Sequence, residues 1–509
     1  HDIGMAGESE ARKRKRKKRR TTARSGNNGA RGGVPYRGWS YGASVRDPRT
    51  GEILKGHVSL GSLRVRQDYL IAQGLLQPFE DGKPTDKRML ELAVARLKQL
   101  SAHEIGHTIG LAHNFAASSV GRASVMDYPY PLIKQDIEGN LDLNSAYDNK
   151  IGVWDKWAIT YGYGYPPEGV DETSYLTKAL QDTYHAGYEF ITDTDARDSS
   201  GVHPRSHLWD NGGSAAGELK RMLALRETRM ASFNLNAIPF GQPEATLEEV
   251  FVPLYLMHRY QLEATAKLIG GMDYSYKIKG DNQPNQSWIT ATIQQESLDA
   301  VLFALEPSQL KVPEHVLALI PPRPFGYSRN RETFASRMGP LFDPIAPAEN
   351  IVDVAFKFLL EGGRANRVYI QQLQDNSLFG LNELLQQLSR AVFSGKSLEG
   401  IPAEIKMMTQ AKLVDYLIVL ANNQEISNSV RAIVRGHLKA LREGGKSTGS
   451  RGLIGLGRTS SVSGMHAQYL ADKIQSFITL PLEINPQNPV KVPDGSPIGM
   501  DNMTCDFEY

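Results

Sequence analysis

The sequence predicts an α+β protein in which a small antiparallel or mixed sheet precedes a mostly α-helical C-terminal region. Two patterns lead to this fold class. Short β-rich runs flank a Pro/Gly turn between residues 41 and 60, and apolar residues recur at helical spacing through most of the chain after residue 217. The 509 residues, of which 40% are hydrophobic, suffice for two or three globular domains.

Residues 1–35 are charged and then rich in Gly, Asn and Ser, which predicts a disordered tail. Nine consecutive basic residues, Arg12 to Arg20, outweigh the acidic balance of the remaining chain and leave a net charge of +2. Such a block repels itself and can bind nucleic acid or an anionic surface. No aromatic or fold signal accompanies it, so we favour a solvated tail or a misread start over a nucleic-acid partner.

A β-hairpin is predicted at the start of the folded part. Tyr41 to Val45 and Ile53 to Leu60 form its strands, and Asp47 to Gly51 forms its turn, with proline early and glycine last. Leu63 to Leu70 is a candidate third strand. His57 lies on the second strand, where an ordinary strand histidine is favoured over a residue of a functional site.

A long helix is predicted to begin at Pro84-Thr85-Asp86, with Thr85 as its N-cap. Apolar residues at spacings of three and four predict one buried face, which consists of Leu90, Val94, Leu97 and Leu100. The same periodicity continues to His103 and His107, so we expect a long, well-anchored helix to hold both histidines rigidly.

The segment from Asn149 to Tyr161 predicts another helix, which the Gly/Tyr/Pro run ending at Pro167 stops. We therefore expect a first domain over residues 36–167 and an irregular polar connection over 168–217. Four acids of this connection lack the spacing of an EF-hand. We favour solvated loop acids over a calcium site for Asp193, Asp195, Asp198 and Asp210.

The chain after residue 217 is predicted as a helical accessory region over 218–443, a Gly/Ser-rich loop over 444–464, and a C-terminal helix and tail over 465–509. The predicted helices are 218–232, 246–269, 295–305, 350–362, 379–394, 403–422, 425–443 and 466–479. The apolar stripe between Val250 and Leu268 is typical of a core face.

The stretch from His103 to His113 has the form H-E-x-x-H-x-x-G-x-x-H. On a helix, His103 and His107 project from one face, close enough to hold one metal ion. Gly110 can adopt a positive φ, which ends the helix and returns His113 to the same ion. Three imidazoles with one open position are typical of a catalytic zinc site, and Glu104 stands beside them to handle water. The alternative, a core helix with three chance histidines, does not explain the glutamate and the glycine.

This stretch, followed by Ser124-Val125-Met126-Asp127-Tyr128-Pro129, resembles the metzincin zinc peptidases, in which a Met-turn lies beneath the three histidines. Together with Trp154-Asp155-Lys156-Trp157-Ala158, these motifs are similar to those of the EcxA-like bacterial branch. The resemblance implies a metzincin-like catalytic domain over 36–167 and a protein or peptide substrate. It also implies an extracytoplasmic location, periplasmic or secreted, and one catalytic Zn²⁺ held by His103, His107 and His113.

The resemblance further implies that Glu104 is the general base and general acid of peptide hydrolysis. Tyr128 is the candidate donor to the developing oxyanion, with a packing tyrosine as the alternative. Met126 is expected to form an apolar floor, and Asn114 to give minor support to the ligands. The exposed strand that binds extended substrate in metzincins corresponds to Ile53 to Gly61.

One feature departs from the metzincin pattern. Metzincin domains have four or five strands and a helix before the active-site helix, whereas only the hairpin and one candidate strand precede Thr85 here. We therefore expect the N-terminal part of the catalytic domain to be incomplete.

The cysteine count and the distribution of apolar residues exclude some kinds of site and some classes of protein. Cys505 is the single cysteine, which excludes an internal disulfide and a cysteine zinc site. We see no apolar run long enough to span a membrane and no signal peptide. The leading hypothesis is a zinc metalloendopeptidase. The alternatives are a non-catalytic, zinc-stabilised interaction scaffold and a nucleic-acid binder that acts through the basic tail.

Overall fold

The computed structural model describes residues 40–80, 83, 85–148, 150–445, 450–457 and 460–480. The predicted basic tail and the C-terminal tail after residue 480 lie outside the described residues. The predicted α+β class is confirmed, because the described part consists of helices and four antiparallel strand pairs. No helix in this part combines the length and the apolar character needed to cross a membrane.

The elements up to residue 197 surround the histidine motif. They are β1 (Tyr41–Arg46), β2 (Ile53–Ser59), α1 (Leu63–Leu76), α2 (Arg88–Thr108), β3 (Lys134–Gln135), β4 (Leu141–Asp142), α3 (Val153–Tyr163), α4 (Glu172–His185) and α5 (Asp193–Arg197).

The elements after residue 197 are almost all helical. They are α6 (Ala215–Ala231), α7 (Leu247–Tyr255), α8 (Arg259–Lys267), β5 (Met272–Asp273), β6 (Ser287–Trp288), α9 (Ala291–Ala304), α10 (Pro307–Leu310), α11 (Glu314–Leu319), α12 (Ala346–Leu359), α13 (Gly362–Gln374), α14 (Leu381–Phe393), α15 (Gly400–Asn422), α16 (Asn428–Glu443), β7 (Gly444–Gly445), β8 (Ser450–Arg451), α17 (Leu453–Leu456) and α18 (Val462–Thr479). Short 3₁₀ helices cover Ala117–Val120, Leu235–Ala237 and Glu244–Thr246.

The predicted β-hairpin is confirmed. Strands β1 and β2 pair antiparallel from Tyr41 opposite Ser59, with one irregularity before Arg46. The turn closes through a hydrogen bond from Gly51 N–H to Asp47 O (2.8 Å), and Gly51 has a φ of 74°. A glycine is favoured there because this left-handed conformation strains other residues. The other three sheets are two-residue pairs.

The predicted third strand over Leu63 to Leu70 is wrong, because this segment belongs to helix α1. Apolar and charged residues alternate at its start, which is typical of a strand. Helical packing prevails because α1 lies between α2 and α7 and buries Leu63, Leu70 and Leu75. A side chain at Gly74 would crowd the backbone oxygen of Val250, so this glycine permits a close approach of α1 to α7.

The predicted buried face of helix α2 is wrong in part. Leu100 is buried, but 65% of Leu90 and 41% of Val94 are exposed. The buried face instead contains Met89 and Leu92 together with two polar residues. Those polar residues are Arg96 and Gln99, which hydrogen-bond to each other, and Gln99 also donates to Val125 O (3.1 Å). The apolar pattern missed this face because satisfied polar groups can be buried.

The start of α2 also differs from the prediction. Its N-cap position is Lys87 and not Thr85, and the carboxylate of Asp86 accepts a hydrogen bond from the backbone N–H of Arg88 (2.9 Å). The helix ends at Thr108, and Gly110 has a φ of 91°, as its predicted role requires. Helix α1 precedes α2 in the chain and was not predicted as a helix from the sequence.

The helices predicted after residue 217 are present, with ends that differ by a few residues. The predicted helix 246–269 is interrupted, because α7 carries Pro253 in its last turn and the chain turns before α8. Helix α4 occupies part of the segment predicted as irregular. Its apolar residues, Leu176, Ala179 and Leu180, recur at helical spacing, but they are only half-buried and polar residues surround them.

One continuous apolar core joins the motif-bearing part of the chain to the helical region. Leu70 and Ile133 belong to the same cluster as Leu219, Leu413 and Leu470. Two smaller clusters lie near the histidine motif. One contains Ala72, Met89, Leu92, Ala146 and Tyr147, and the other contains Ala117, Ala123, Val125, Met126 and Trp154. The helical region therefore supports the part that carries the motif.

Candidate metal centre

Helix α2 and the turn after it bring three histidines together. His103 and His107 lie one turn apart on the helix, and the turn at Gly110 reverses the chain, with Leu111 N–H bonded to Gly106 O (3.0 Å). The Nε2 atom of His107 lies 3.1 Å from the Nε2 atoms of both His103 and His113. Nitrogens bound to one tetrahedral zinc at about 2.0–2.1 Å are separated by roughly 3.3 Å. The spacing therefore fits a single ion of this size.

The opposite nitrogen of each ring faces a hydrogen-bond acceptor. His103 Nδ1 donates to Val125 O (2.7 Å), His107 Nδ1 to Leu111 O (2.9 Å), and His113 Nδ1 to the Asp193 carboxylate (2.7 Å). These oxygens only accept, so each Nδ1 carries a proton and each neutral ring turns a lone pair toward the other two. Three converging lone pairs repel one another unless a cation lies between them. The donor set therefore fits a divalent metal ion, and these histidines could hold one.

The environment keeps the rings of His103 and His107 neutral. Burial, together with the neighbouring His107, lowers the pKa of His103 to about 3. Burial also lowers the pKa of His107, against the effect of its bond to Leu111. Neutral imidazoles are the form that binds metals, so these two histidines require no deprotonation at neutral pH.

Glu104 lies in the same cleft as the histidines, under strand β1. Burial raises the pKa of Glu104, while a hydrogen bond from Gly42 N–H lowers it. A side chain at Gly42 would collide with the backbone oxygen of Glu104, so the glycine lets β1 lie directly on α2. The cleft has a volume of about 500 Å³, and its lining includes Ser40 to Ser44, the three histidines and Tyr128.

The strand beside the cleft is β1 and not β2. The segment Ile53 to Gly61, predicted for this position, contributes no residue to the lining of the cleft. His57 is exposed on β2 and contacts the ring of Tyr41 at 5.8 Å, which fits the favoured interpretation as a strand histidine. The two strands of the hairpin are therefore exchanged relative to the cleft, compared with the prediction.

The turn around Met126 lies beneath helix α2. Asp155 fixes this turn, because its carboxylate accepts hydrogen bonds from Ser124 Oγ (2.5 Å) and from the backbone N–H of Val125 (2.9 Å). Met126 is fully buried, and a side chain at Gly106 would collide with its sulfur. Met126 therefore packs under the helix between the two helical histidines, where an apolar floor was predicted.

Tyr128 forms an aromatic wall of the cleft. Its ring centroid lies 4.9 Å from that of His113 and 5.4 Å from that of His103. Its hydroxyl accepts a hydrogen bond from Arg197 (3.1 Å). The phenol is thus held at one end by a cation while its ring contacts the histidines.

Helix α5 supplies Asp193 and Arg197, whose contacts at the site were not predicted from the sequence. Asp193, predicted as a solvated acid, is half-buried and bonds to both His113 and Arg197. Burial raises the pKa of Asp193, but the hydrogen bonds from these two partners outweigh it and lower the pKa overall. Tyr274 and Tyr276 both donate to Asp195 on the same helix. The D-x-x-x-R spacing, with the need of a metal-bound histidine for an acceptor, is the signal that could have identified Asp193.

Asn114 supports the loop between the third histidine and α5. Its side chain donates to Glu189 O (2.8 Å) and accepts from the backbone N–H groups of Ala116 and Ile191. None of these hydrogen bonds reaches a histidine ring, so Asn114 supports the three histidines only indirectly.

Asp210 was predicted as a solvated acid and is in fact buried near Asp127, with Ser118 bonded to both. Burial raises the pKa of Asp210 to about 7, and it raises that of Asp127 with a further contribution from Asp210. Between about pH 4 and pH 7 the unfolded chain loses these protons and the folded chain keeps them. The free energy of unfolding therefore falls as the pH rises through this window.

We expect the Asp210→Asn variant to lose much of this pH dependence, because an amide fills the site without titrating. Urea unfolding of both proteins at several values between pH 4 and pH 7 measures the two slopes. The exposed Asp299→Asn variant is the matched control and should keep the slope of the unmodified protein. Equal slopes for all three proteins would contradict the assignment of the titration to this pair.

Comparison with known families gives one match. The family model described as Met-zincin matches residues 85–399, which include the three histidines, Glu104, Met126, Tyr128 and Asp193. No curated protein and no solved structure matches the chain.

Proposed function

Because the match covers more than half of the sequence, the chain belongs to the Met-zincin family, and we propose that it is a zinc-dependent metalloendopeptidase. The observation that carries this proposal is the convergence of His103, His107 and His113 in an open cleft that also holds Glu104. A peptidase family implies protein or peptide substrates. One Zn²⁺ ion, held by the three Nε2 atoms, is the proposed cofactor.

A zinc ion held by His103, His107 and His113 would supply Lewis-acid chemistry at the scissile carbonyl and would lower the pKa of water. Glu104 then acts as the base that takes a proton from the attacking water and passes it to the leaving amine. Its raised pKa brings proton uptake and release closer to neutral pH. Tyr128, held by Arg197, is the proposed donor to the oxyanion of the tetrahedral intermediate.

Strand β1 is the proposed binding edge for an extended substrate. One edge of β1 pairs with β2, and Ser40 to Ser44 line the cleft on the other side. Free N–H and C=O groups along a strand edge can pair with a peptide main chain and so give binding without side-chain specificity. A peptide added to β1 would run past Glu104 and the histidines.

Metal removal tests the proposed function. We expect casein cleavage by the full chain to stop after treatment with EDTA and to return when one equivalent of Zn²⁺ is added. Gel analysis of casein and zinc analysis of the protein measure both steps. Cleavage that persists in the metal-free protein, or an absence of cleavage at any zinc content, would overturn the proposal.

The second candidate is a zinc-stabilised scaffold without catalysis. It needs the three histidines but has no use for Glu104, which the chain retains in the cleft. The basic tail, Arg12 to Arg20, lies outside the described residues, and nucleic-acid binding stays the least favoured alternative. The resemblance to the EcxA-like branch supports a proposed extracytoplasmic location, which fractionation of the source cells would test.

We expect the Asp193→Ala variant to bind zinc about 10- to 100-fold more weakly, because the loss of the carboxylate leaves the ring of His113 free to rotate and less basic. Competition with a chromogenic chelator measures the affinity independently of catalysis. The control is Asp182→Ala on α4, since the exposed carboxylate of that acid bonds to Lys178 on the surface. Unchanged zinc affinity of Asp193→Ala would show that the carboxylate does not support the ligand.

A further inference from the structure

A second cavity lies next to the cleft, on the other side of Trp209. It has a volume of about 420 Å³, within the range of small-molecule sites, and lies between helices α1, α2, α7 and α8. Aromatic rings form much of its wall, from Tyr130, Tyr147, Trp209 and Tyr260. The helix that carries the histidines thus lines both spaces.

The charges of this cavity do not balance. Two of its acids are paired with arginines outside the lining: Glu332 with Arg66 (2.6 Å) and Glu249 with Arg323 (2.7 Å). The third, Asp68, accepts a hydrogen bond from Tyr147 (2.5 Å), and burial raises its pKa to about 6. The lining also contains four arginines, which is one more than its three acids.

Among the four arginines that line the cavity, Arg96 is the buried one. Only 3% of it is exposed, it is hydrogen-bonded to Gln99, and within the described part of the chain it forms no ion pair. The Arg96 guanidinium lies 5.4 Å from the ring centre of Tyr147 and 5.6 Å from that of Trp209. The buried carboxylate of Asp68 lies within electrostatic reach of both Arg96 and Arg64, so one acid faces two largely buried guanidinium groups. Such a surplus of buried positive charge favours an anionic ligand.

Arg64 and Arg259 approach the same space. The Arg64 guanidinium lies 3.9 Å from the ring centre of Trp209, and burial together with repulsion from Arg96 lowers its pKa. Arg259 lies over the ring of Tyr260 at 4.5 Å. Planar guanidinium groups bind carboxylates through paired hydrogen bonds.

We propose that this cavity binds a carboxylate carried on an aromatic or apolar body. The arginines recognise the carboxylate, and the aromatic wall of Tyr147, Trp209 and Tyr260 packs against the body. The proposal is independent of peptide hydrolysis, because none of its contacts involves the histidines or Glu104.

Trp209 and Tyr128 lie between this cavity and the cleft. The ring of Trp209 lies 5.0 Å from that of Tyr128, and its backbone N–H donates to Tyr128 O (2.8 Å). Its φ of 61° is a left-handed conformation that strains a tryptophan, and such strain is maintained where a side chain must be aimed. The carboxylate therefore has two sources: an acidic side chain of a bound peptide or a free small acid.

Calorimetric titration of the full chain with 3-phenylpropionate, and with its uncharged amide, tests the proposal. We expect the acid to bind at least tenfold more tightly than the amide, and the Arg96→Met variant to lose this preference. Arg259→Gln, at the edge of the cavity, provides a second variant if the buried substitution impairs folding. Arg390→Met on α14 is the control, because Arg390 is exposed and distant in sequence from every lining residue.

Equal binding of acid and amide to the full chain, or an unchanged preference in both cavity variants, would overturn the proposal. The two sources are separated with the Glu104→Ala protein and peptides that carry Glu or Gln at one position. Preferential binding of a Glu peptide, displaced by 3-phenylpropionate, assigns the site to substrate. Binding of the free acid without such competition assigns it to a small molecule. Neither result depends on catalysis, so a failure of this binding proposal can be distinguished from a failure of the proposed peptidase function.

Discussion

The Glu104→Gln variant is expected to lose about 10²- to 10⁴-fold in kcat for peptide cleavage, the range that a general acid–base residue contributes. Glutamine keeps the size of the side chain and can still accept the hydrogen bond from Gly42, but it cannot take a proton from water. Zinc content should stay at one ion per chain, because the three Nε2 atoms are untouched. Single-turnover cleavage of a fluorogenic peptide and zinc analysis of the same sample measure both quantities.

Glu91→Gln provides the matched control for this experiment. Glu91 lies on the same helix and is exposed in its first turn, so its substitution changes the charge by the same amount far from the histidines. We expect Glu91→Gln to cleave at the original rate. Equal rates for the original protein and Glu104→Gln would exclude the proposed base. They would favour the scaffold if neither protein cleaves.

The largest effect on stability is expected for Arg364→Met, with a loss of about 3 to 5 kcal/mol in the free energy of unfolding. Arg364 is completely buried on α13 and donates hydrogen bonds to five backbone carbonyls, those of Ser199, Gly201, Lys267, Ile269 and Phe358. Each carbonyl left unpaired costs roughly 1–3 kcal/mol, and removal of the buried charge returns part of that sum.

Chemical denaturation of Arg364→Met and of the exposed Arg390→Met measures this difference. Arg390→Met should unfold at the original midpoint, because surface substitutions seldom change stability by more than about 0.5 kcal/mol. A loss below about 1 kcal/mol in Arg364→Met would mean that water or a rearranged backbone replaces the guanidinium. Zinc affinity should fall as well, since Ser199 and Gly201 follow directly after α5.

The parts of the site that lie close together in the sequence could be predicted from it. His103, His107 and His113 fall within one helix and one turn, and the positive φ of Gly110 follows from the residue type. Asp193 could not be found in this way. It lies 80 residues after His113, and its D-x-x-x-R spacing with Arg197 does not by itself show that it accepts a hydrogen bond from a histidine.

The fold was predicted correctly where the local sequence determines it, and wrongly where tertiary contacts determine it. The hairpin follows from a local turn, whereas α1 was mistaken for a strand because its helical character comes from contacts with α2 and α7. The buried face of α2 was misassigned because Arg96 and Gln99 are polar and yet buried. Tertiary contacts decide such positions, and a single sequence does not display them.

The bonds from Arg364 to Ser199 and Gly201 also bear on how the protein is made. The histidines leave the ribosome long before residue 364 does, so a nascent chain can carry a complete ligand set while α5 still lacks its anchor. We expect such a chain to be inert until translation has passed α13. For the proposed peptidase, the order of synthesis would therefore delay cleavage until the anchor of α5 is in place.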